Sequence, residues 1–181
     1  MSMRVIAGYL RHRELFYPEN NKNIRPTKDR IREAFFSAIG DITNLTFLDL
    51  FAGCGSMGIE AISRGAKESY FIDNSSESLK YVKENIKKLD IKNSIVIYKD
   101  ALEALKMFKE ENKQFDVIYI DPPYESDIYN EILSYIFSNN LARAGAIVAF
   151  EANKVIETNP LWYQRIKEYH YGEITVTVMR L

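Results

Sequence analysis

The sequence predicts an α/β protein whose doubly wound parallel sheet ends in an antiparallel hairpin. From residue 46 onward, short apolar segments alternate five times with amphipathic segments at helical spacing. After the fifth apolar segment the alternation stops, and the segments 164–171 and 174–181 are joined only by Gly172-Glu173, which indicates a closing hairpin. A glycine-rich loop follows the first strand of the series, as is typical of sheets that bind a ligand at their carboxyl edge.

Composition and charge limit the class of protein. The 181 residues are 46% hydrophobic, so the chain can bury a sizeable core and disorder throughout is excluded. The length fits roughly one domain. A single cysteine, Cys54, excludes an internal disulfide framework. Because no stretch approaches the ~18–20 apolar residues of a membrane span and the start does not have the pattern of a signal peptide, we expect a cytoplasmic protein without membrane contact.

The net charge of −1 hides an uneven distribution. Residues 1–32 contain eight basic and three acidic side chains, a net charge of +5, which leaves −6 for the rest of the chain. We therefore expect a basic N-terminal extension that holds phosphate groups through Arg4, Arg11 and Arg13. The predicted organisation is an extension with its loop over residues 1–24 and a catalytic domain over 25–181.

Hydrophobic spacing and turn residues place the elements. Before the sheet we expect a hairpin over 4–7 and 13–17 with a turn around Gly8, then a helix that Pro26-Thr27 opens and Gly40 ends. The parallel strands are predicted at 46–51, 69–73, 94–98, 115–121 and 146–151. Their carboxyl ends each carry an acid, and that edge is where such sheets bind ligands: Asp49, Asp73, Asp100, Asp121 and Glu151. Asp100 also has Glu103 at capping-box spacing.

The glycine loop indicates an adenosine-type cofactor. Gly53, Gly55 and Gly58 form a G-x-G-x-x-G between a strand and a helix, and Asp73 follows Gly53 by 20 residues, the spacing of an acid that binds ribose hydroxyls. Asp49, inside the approaching strand, disfavours the anionic pyrophosphate of NAD and favours the sulfonium and ammonium groups of S-adenosylmethionine. The alternative is that Asp49 only accepts hydrogen bonds from loop amides.

A second motif, Asp121-Pro122-Pro123-Tyr124, ends the fourth strand of the series. Two prolines hold the loop extended, so the Asp121 carboxylate and the Pro122 carbonyl can face the same point while Tyr124 offers a flat surface. Two acceptors beside an aromatic ring suit the exocyclic amine of a nucleobase, with its two N–H donors. The motif accepts any such amine, and it could also be only a rigid turn.

With both motifs placed, the chain resembles the RsmD-type ribosomal RNA methyltransferases over essentially its whole length. The resemblance lies in segments 4–8, 11–13, 25–35, 48–61 and 121–124. The run Arg25-Pro-Thr-Lys-Asp-Arg-Ile-Arg-Glu is more specific than the tetrad, which several amino-methylating enzymes of DNA and RNA share. His12, Cys54 and Met57 depart from the residues common in the family.

The resemblance implies a Rossmann-like class I S-adenosylmethionine-dependent methyltransferase that acts on the exocyclic N2 of a guanine in 16S ribosomal RNA. The implied catalytic residues are Asp121, Pro122 and Tyr124. The implied cofactor site comprises Asp49, Phe51, Gly53, Gly55, Gly58, Asp73 on the ribose, Asp100 near the adenine, and Ala101. Substrate contacts are expected from Arg4, Arg11, Arg13, Arg25, Thr27 and Arg30.

The expected partner is 16S ribosomal RNA within a small-subunit particle or assembly intermediate, bound by a monomer that has no metal site. Three alternatives remain open from the residues: a DNA adenine-N6 or cytosine-N4 methyltransferase, an NAD-dependent oxidoreductase, and a non-catalytic RNA-binding assembly factor. Glu151 is either an acid behind the site or only the end of a strand.

Overall fold

A computed structural model describes residues 3–18, 29–123 and 128–181. A small antiparallel pair, β1 (Met3–Arg4) and β2 (Glu14–Leu15), precedes the main sheet. Seven strands form that sheet: β3 (Thr46–Asp49), β4 (Glu68–Asp73), β5 (Ser94–Tyr98), β6 (Phe115–Ile120), β7 (Ala142–Ala152), β8 (Arg165–Tyr171) and β9 (Ile174–Arg180). Their order across the sheet is β5-β4-β3-β6-β7-β9-β8.

The predicted fold class is confirmed by this topology. Strands β3 to β7 are parallel to one another, whereas β9 runs antiparallel between β7 and β8. The chain adds β4 and β5 on one side of β3 and then crosses to β6 on the other side. The carboxyl ends of β3 and β6 therefore flank the point where the strand order reverses, which is the ligand-binding crevice of an open α/β sheet.

In the described part of the chain, five α-helices cover the two faces of the sheet: α1 (Asp29–Ile39), α2 (Ser56–Ser63), α3 (Ser76–Lys88), α4 (Ala101–Glu110) and α5 (Tyr129–Ser138). Asp100 caps α4 as predicted, since its carboxylate accepts the N–H of Leu102. The predicted start of the first helix, Pro26-Thr27, lies outside the described residues. Among the described residues, no helix has both the length and the apolar content that crossing a membrane requires.

Strand alternation divides the core between the faces. Leu48, Ile118 and Val148 pack with α4 and α5 on one face. Phe47, Tyr119 and Ala149 belong to the apolar cluster that contains the buried side chains of α1 on the other. Because residues two apart in a strand point to the same side, Asp49 shares the α1 face with Phe47. This face carries the acids discussed below.

Four strand boundaries differ from the prediction by more than one residue. In the N-terminal hairpin, β1 ends at Arg4 instead of residue 7 and β2 ends at Leu15 instead of residue 17. Strand β3 ends at Asp49 instead of residue 51, because the chain turns there into the glycine loop. Strand β7 begins at Ala142 instead of residue 146, because Ala142 pairs with Phe115 across an irregularity in the β6–β7 register. The guanidinium of Arg143 also binds the Asp116 carboxylate at 2.9 Å, which holds this extra segment on β6.

Candidate active site

Three acids converge at the carboxyl ends of β3, β6 and β7. Asp49 is in register with Tyr119, and Tyr119 is in register with Ala149. Asp121 follows Tyr119 by two positions, and Glu151 follows Ala149 by two. All three acids therefore lie on the α1 face of the sheet, on neighbouring strands whose axes are about 5 Å apart. Asp49 and Glu151 are each only 2% exposed. The predicted grouping of acids at this edge is thus present.

Asp49 is a buried carboxyl beneath the glycine loop. Its Oδ2 accepts a hydrogen bond of 3.1 Å from the backbone N–H of Gly58. The pKa of Asp49 is raised to about 7, mainly by burial; the Gly58 amide opposes this shift and the nearby charge of Asp73 adds to it. The hydrogen bond to a loop amide that the simpler interpretation expects is therefore present, and none of the described residues donates a hydrogen bond to the other oxygen, Oδ1.

The glycine loop is tied to the end of β4. Gly53 and Gly55 have φ values of 53° and 85°, a region that side chains disfavour. The Gly53 N–H donates to Asp73 Oδ2 at 2.8 Å, and the Ser75 N–H donates to Asp73 Oδ1 at 2.8 Å. Burial raises the pKa of Asp73, although these amide donors oppose the shift. Asp73 thus holds the loop in place with its carboxylate half-buried at the crevice.

Gly58 has a packing role. A Cβ at this position would lie 2.3 Å from Cε1 of Phe71 and 2.7 Å from Oγ of Ser69. Helix α2 can therefore approach β4 this closely only with glycine at its third residue. The backbone N–H of Gly58 donates to Asp49, so the residue supports the predicted cofactor site through its amide.

The remaining predicted cofactor residues surround the same edge. Phe51 lies half-buried between β3 and the loop, against the α4–α5 cluster. Asp100 is half-buried at the start of α4, where it caps the helix, and Ala101 is buried beside it. A half-buried carboxylate at the end of each neighbouring strand provides acceptors for hydroxyl and amine groups. A nucleoside that carries positive charges fits these carboxylate acceptors. A pyrophosphate would be repelled, because its negative charges would face the carboxylate of Asp49.

Asp121 and Pro122 follow β6 at the point where the strand order reverses. Pro122 is buried, and Asp121 is half-buried at the mouth of the crevice. Burial raises the pKa of Asp121 well above its usual value, and the charges of Glu151 and then Asp49 raise it further. Tyr124 lies outside the described residues. Within the described ranges, no three His, Cys, Asp or Glu side chains are grouped so that they could hold a metal ion.

The structure places the turn of the basic extension away from the acids of the crevice. Arg4, Arg11 and Arg13 are exposed. The turn after Gly8 binds the far end of α2, where the N–H groups of Tyr9 and Leu10 donate to the carbonyl and hydroxyl oxygens of Ser63. Because α2 runs from the glycine loop toward the opposite edge of the sheet, this turn lies about 12 Å from the start of the helix.

The second group of predicted substrate residues is only partly described. Arg25 and Thr27 lie outside the described residues. Arg30 is exposed at the start of α1, with its guanidinium carbon 5.9 Å from the centre of the Tyr171 ring. Since β8 ends at Tyr171 beside the carboxyl end of β7, Arg30 lies at the carboxyl edge of the sheet.

Sequence reasoning missed several buried polar residues around the site. The Tyr119 hydroxyl donates to Glu151 Oε2 at 2.9 Å, and the Tyr129 hydroxyl donates to the Glu151 carbonyl at 2.7 Å. Arg32 is fully buried, with Nη2 bonded to the Arg4 carbonyl and to Asp29. The sequence signal for Tyr119 was its position two residues before Asp121, on the same face of an apolar strand.

Sequence comparison places the chain among bacterial methyltransferases. A family model described as conserved hypothetical protein 95 matches residues 3–180. Ribosomal RNA small subunit methyltransferase D of Buchnera aphidicola subsp. Acyrthosiphon pisum is 35% identical over 151 residues, which cover 83% of this chain and 78% of that protein. The protein of the same name from Haemophilus influenzae is 33% identical over 155 residues, covering 84% and 79%.

Two solved structures show the same architecture. A hypothetical protein of Thermus thermophilus has a TM-score of 0.85 at 26% identity and covers 99% of both chains. The 16S rRNA N2 methyltransferase RsmC of the same organism, solved with AdoMet and guanosine, has a TM-score of 0.75 at 19% identity, covering 99% of this chain and 49% of that one. The likeness to RsmC concerns the fold. Proteins of this fold bind S-adenosylmethionine, which is the cofactor that the sequence predicts. The resemblance first drawn from the motifs is confirmed by the family match: the chain belongs to the family of RsmD-type ribosomal RNA methyltransferases.

Proposed function

We propose that this protein transfers the methyl group of S-adenosylmethionine to the exocyclic N2 amine of a guanine in 16S ribosomal RNA. The observation that carries the proposal is the position of Asp121 and Pro122, which directly follow β6 in the crevice beside Asp49 and the glycine loop. The names of the relatives, rRNA small subunit methyltransferase D, support the class of substrate.

The acceptor groups suit an aromatic amine. The lone pair of such an amine is conjugated with the ring, which makes it a poor nucleophile. An ionised Asp121 carboxylate and the Pro122 carbonyl would each accept one N–H, favour a pyramidal nitrogen and direct its lone pair toward the methyl group. Tyr124 would stack on the base, and a paired target base would first have to leave its helix.

The cofactor would lie across the ends of β3, β4 and β5. Asp73 would accept hydrogen bonds from the ribose hydroxyls, and Asp100 and Ala101 would lie near the adenine. Asp49 and the loop of Gly53 and Gly55 would bind the cationic methionine part. S-adenosylmethionine carries its methyl group on a positively charged sulfonium. The carboxylates of this edge would therefore stabilise the bound cofactor before the methyl group is transferred.

The RNA would extend from the crevice to the basic extension. Arg30 on the catalytic edge would contact the RNA near the target base, and Arg11 and Arg13 would hold phosphates farther away. We propose that the substrate is a small-subunit particle in the cytoplasm and that the protein acts as a monomer.

The test is methyl transfer from labelled S-adenosylmethionine to three substrates: undermethylated small-subunit particles, naked 16S rRNA and duplex DNA. We expect label in the particles, in a guanine that nuclease digestion and mass spectrometry identify as N2-methylated. Asp121→Ala should lose at least about 100-fold in rate, a loss typical of removing a group that acts on the reacting centre. Glu110→Ala, at the exposed far end of α4, is the control. Label found only in DNA adenine or cytosine would overturn the proposal.

A further inference from the structure

The outermost strand of the sheet, β8, carries a row of basic and aromatic side chains on its α1 face. Because successive side chains of a strand alternate between the faces, four of them share one face: Arg165, Lys167, Tyr169 and Tyr171. The two tyrosines pack against the apolar cluster that contains the buried side chains of α1, whereas Ile166 packs against the cluster of α4 and α5. Arg165 and Lys167 are exposed, so their charges face solvent on the α1 side.

A small cavity lies between this row and α1. Its volume is about 70 Å³, and it is lined in part by Ala38 of α1 and by three cations of the hairpin, Arg165, Lys167 and Arg180. The guanidinium of Arg180 is held by α1, because its Nη2 donates to the carbonyl oxygen of Ala38 at 3.1 Å. Arg165 is in register with Arg180 across β8 and β9. Like charges at directly opposite positions destabilise an antiparallel pair.

Within the described residues, the cations of this row have no acidic partner. No ion pair joins Arg165 or Lys167 to any described side chain. Strand alternation places Glu168 on the opposite face of β8. In the same part of the chain, Glu33 of α1 and Glu173 of the hairpin turn form no ion pair either. An anion from outside the chain is the partner that this charge arrangement fits.

The row leads to the carboxyl edge of the sheet. From Arg165 to Tyr171 the strand extends about 20 Å, at about 3.3 Å per residue. At its carboxyl end, the guanidinium carbon of Arg30 lies 5.9 Å from the centre of the Tyr171 ring, within the range of a cation–π contact. Positive charge is therefore present at both ends of the row, and one end lies at the edge where the crevice opens.

We propose that the α1–β8 groove binds the phosphate backbone of the substrate RNA. The groove is defined by its four cationic side chains: Arg30, Arg165, Lys167 and Arg180. It lies beyond β7 in the strand order, whereas the N-terminal extension packs against α2 and α3, which contact β4 and β5. The crevice between β3 and β6 thus has a basic surface on each side. This inference rests on the proposed function for the nature of the RNA.

Two separate basic surfaces favour RNA over an acidic protein segment. One continuous polyanion can contact the extension, the crevice and the groove at the same time, and each phosphate that it pairs with a cation releases a counterion. Backbone contacts of this kind position a nucleic acid without reading its bases. The groove would therefore orient the RNA so that the target base reaches the crevice.

RNA binding over a range of salt concentrations tests the proposal. Arg165→Gln combined with Lys167→Gln removes two charges, and Arg180 stays in place because it holds α1. Filter binding of naked 16S rRNA, without S-adenosylmethionine, should weaken by at least about tenfold at low salt, and the slope of log K against log salt should fall by about 1.4–1.8. Lys106→Gln with Lys109→Gln, exposed on α4, is the matched control and should change neither quantity.

Stability separates binding from a structural role. Since Arg165 lies opposite Arg180, Arg165→Gln removes a repulsion, and its urea midpoint should equal or exceed that of the unmodified protein. Arg165→Lys keeps the charge and should retain most of the affinity for RNA, because a lysine also binds phosphate. Unchanged affinity and slope in the double variant would overturn the proposal, as would a lower midpoint in Arg165→Gln.

Two further outcomes distinguish the groove from its alternatives. Weaker binding of the double variant to small-subunit particles, with unchanged binding to naked 16S rRNA, would indicate an acidic protein partner and overturn the proposal. The proposed function is tested separately, because filter binding needs no methyl transfer. Guanine methylation with unaltered RNA binding in the double variant would disprove the groove alone. Loss of RNA affinity in that variant without any guanine methylation would support the groove and disprove the proposed function.

Discussion

The side chain of Asn85 hydrogen-bonds both backbone groups of Phe16. Asn85 Oδ1 accepts the Phe16 N–H at 2.7 Å, and Asn85 Nδ2 donates to the Phe16 carbonyl at 2.9 Å. The same Nδ2 lies 3.3 Å from the carbonyl of Cys54 in the glycine loop. Since Asn85 is fully buried, one residue of α3 joins the N-terminal extension to the loop that is expected to bind the cofactor.

Removing this side chain should loosen the extension. Asn85→Ala leaves the N–H and carbonyl of Phe16 without their partner, so we expect the free energy of unfolding to fall by about 2–3 kcal/mol. Urea unfolding measures this, and limited proteolysis should cut the extension faster. Lys83→Ala, exposed on the same helix, should change stability by less than about 0.5 kcal/mol. Equal stability of the two variants would contradict the role of Asn85.

Two arginines of α1 should behave differently. Arg32 is fully buried, and its Nε lies 3.8 Å from a carboxylate oxygen of buried Glu60, whereas Arg30 is exposed. Arg32→Met should lower the free energy of unfolding by about 1–3 kcal/mol, because it leaves the Arg4 carbonyl without its donor, whereas Glu60 keeps its 2.8 Å ion pair with Arg64. Arg30→Met should leave stability nearly unchanged and weaken RNA binding instead. Thermal unfolding and RNA filter binding of both variants separate these effects, and comparable stability losses would contradict the assignment.

Gly58 should resist replacement by alanine although it lies in a helix. Alanine is favoured over glycine in helices by about 1 kcal/mol, but a Cβ here would lie 2.3 Å from the Phe71 ring. We expect Gly58→Ala to cost about 1–3 kcal/mol of stability through overpacking. In a double-mutant cycle measured by urea unfolding, Phe71→Leu should recover part of the loss in Gly58→Ala. Additive losses would show that the ring is not the obstacle.

The stability of the ligand-free protein should depend on Asp49. Its folded pKa of about 7 exceeds the unfolded value of about 3.9, so the folded state binds the extra proton between these values. The contribution of Asp49 to the free energy of unfolding should therefore fall as the pH rises from about 4 to about 7, by at most about 4 kcal/mol. Asp49→Asn should remove this dependence and be the more stable protein at pH 8. Urea unfolding at several pH values checks the slope, and an unchanged slope would contradict it.

The basic extension has its own salt-dependent signature. If Arg11 and Arg13 each neutralise one RNA phosphate, replacing both by alanine should weaken binding at low salt and reduce the slope of log K against log salt by about two. Filter binding over a range of salt concentrations measures both quantities. Lys106→Ala with Lys109→Ala, on the exposed surface of α4, is the control pair. An unchanged slope would place the RNA elsewhere.

Sequence patterns predicted the elements well but not all of their boundaries. The apolar strands and the glycine loop have strong local signals, so the order of elements could be predicted. The early start of β7 at Ala142 could not, because it depends on Phe115 and on the ion pair of Arg143 with Asp116. The same holds for Asn85, whose partner Phe16 is 69 residues away along the chain.

By itself the sequence determined the fold class, the family and the edge of the sheet at which the acids lie, because strands, helices and the G-x-G-x-x-G loop are local patterns. Only the tertiary structure decided that Tyr119 binds Glu151 beside Asp121, that Gly58 serves close packing, and that the turn of the extension lies on the far end of α2. Each of these depends on residues that are distant along the chain and close in space, where burial changes both the fit and the proton affinity of a side chain.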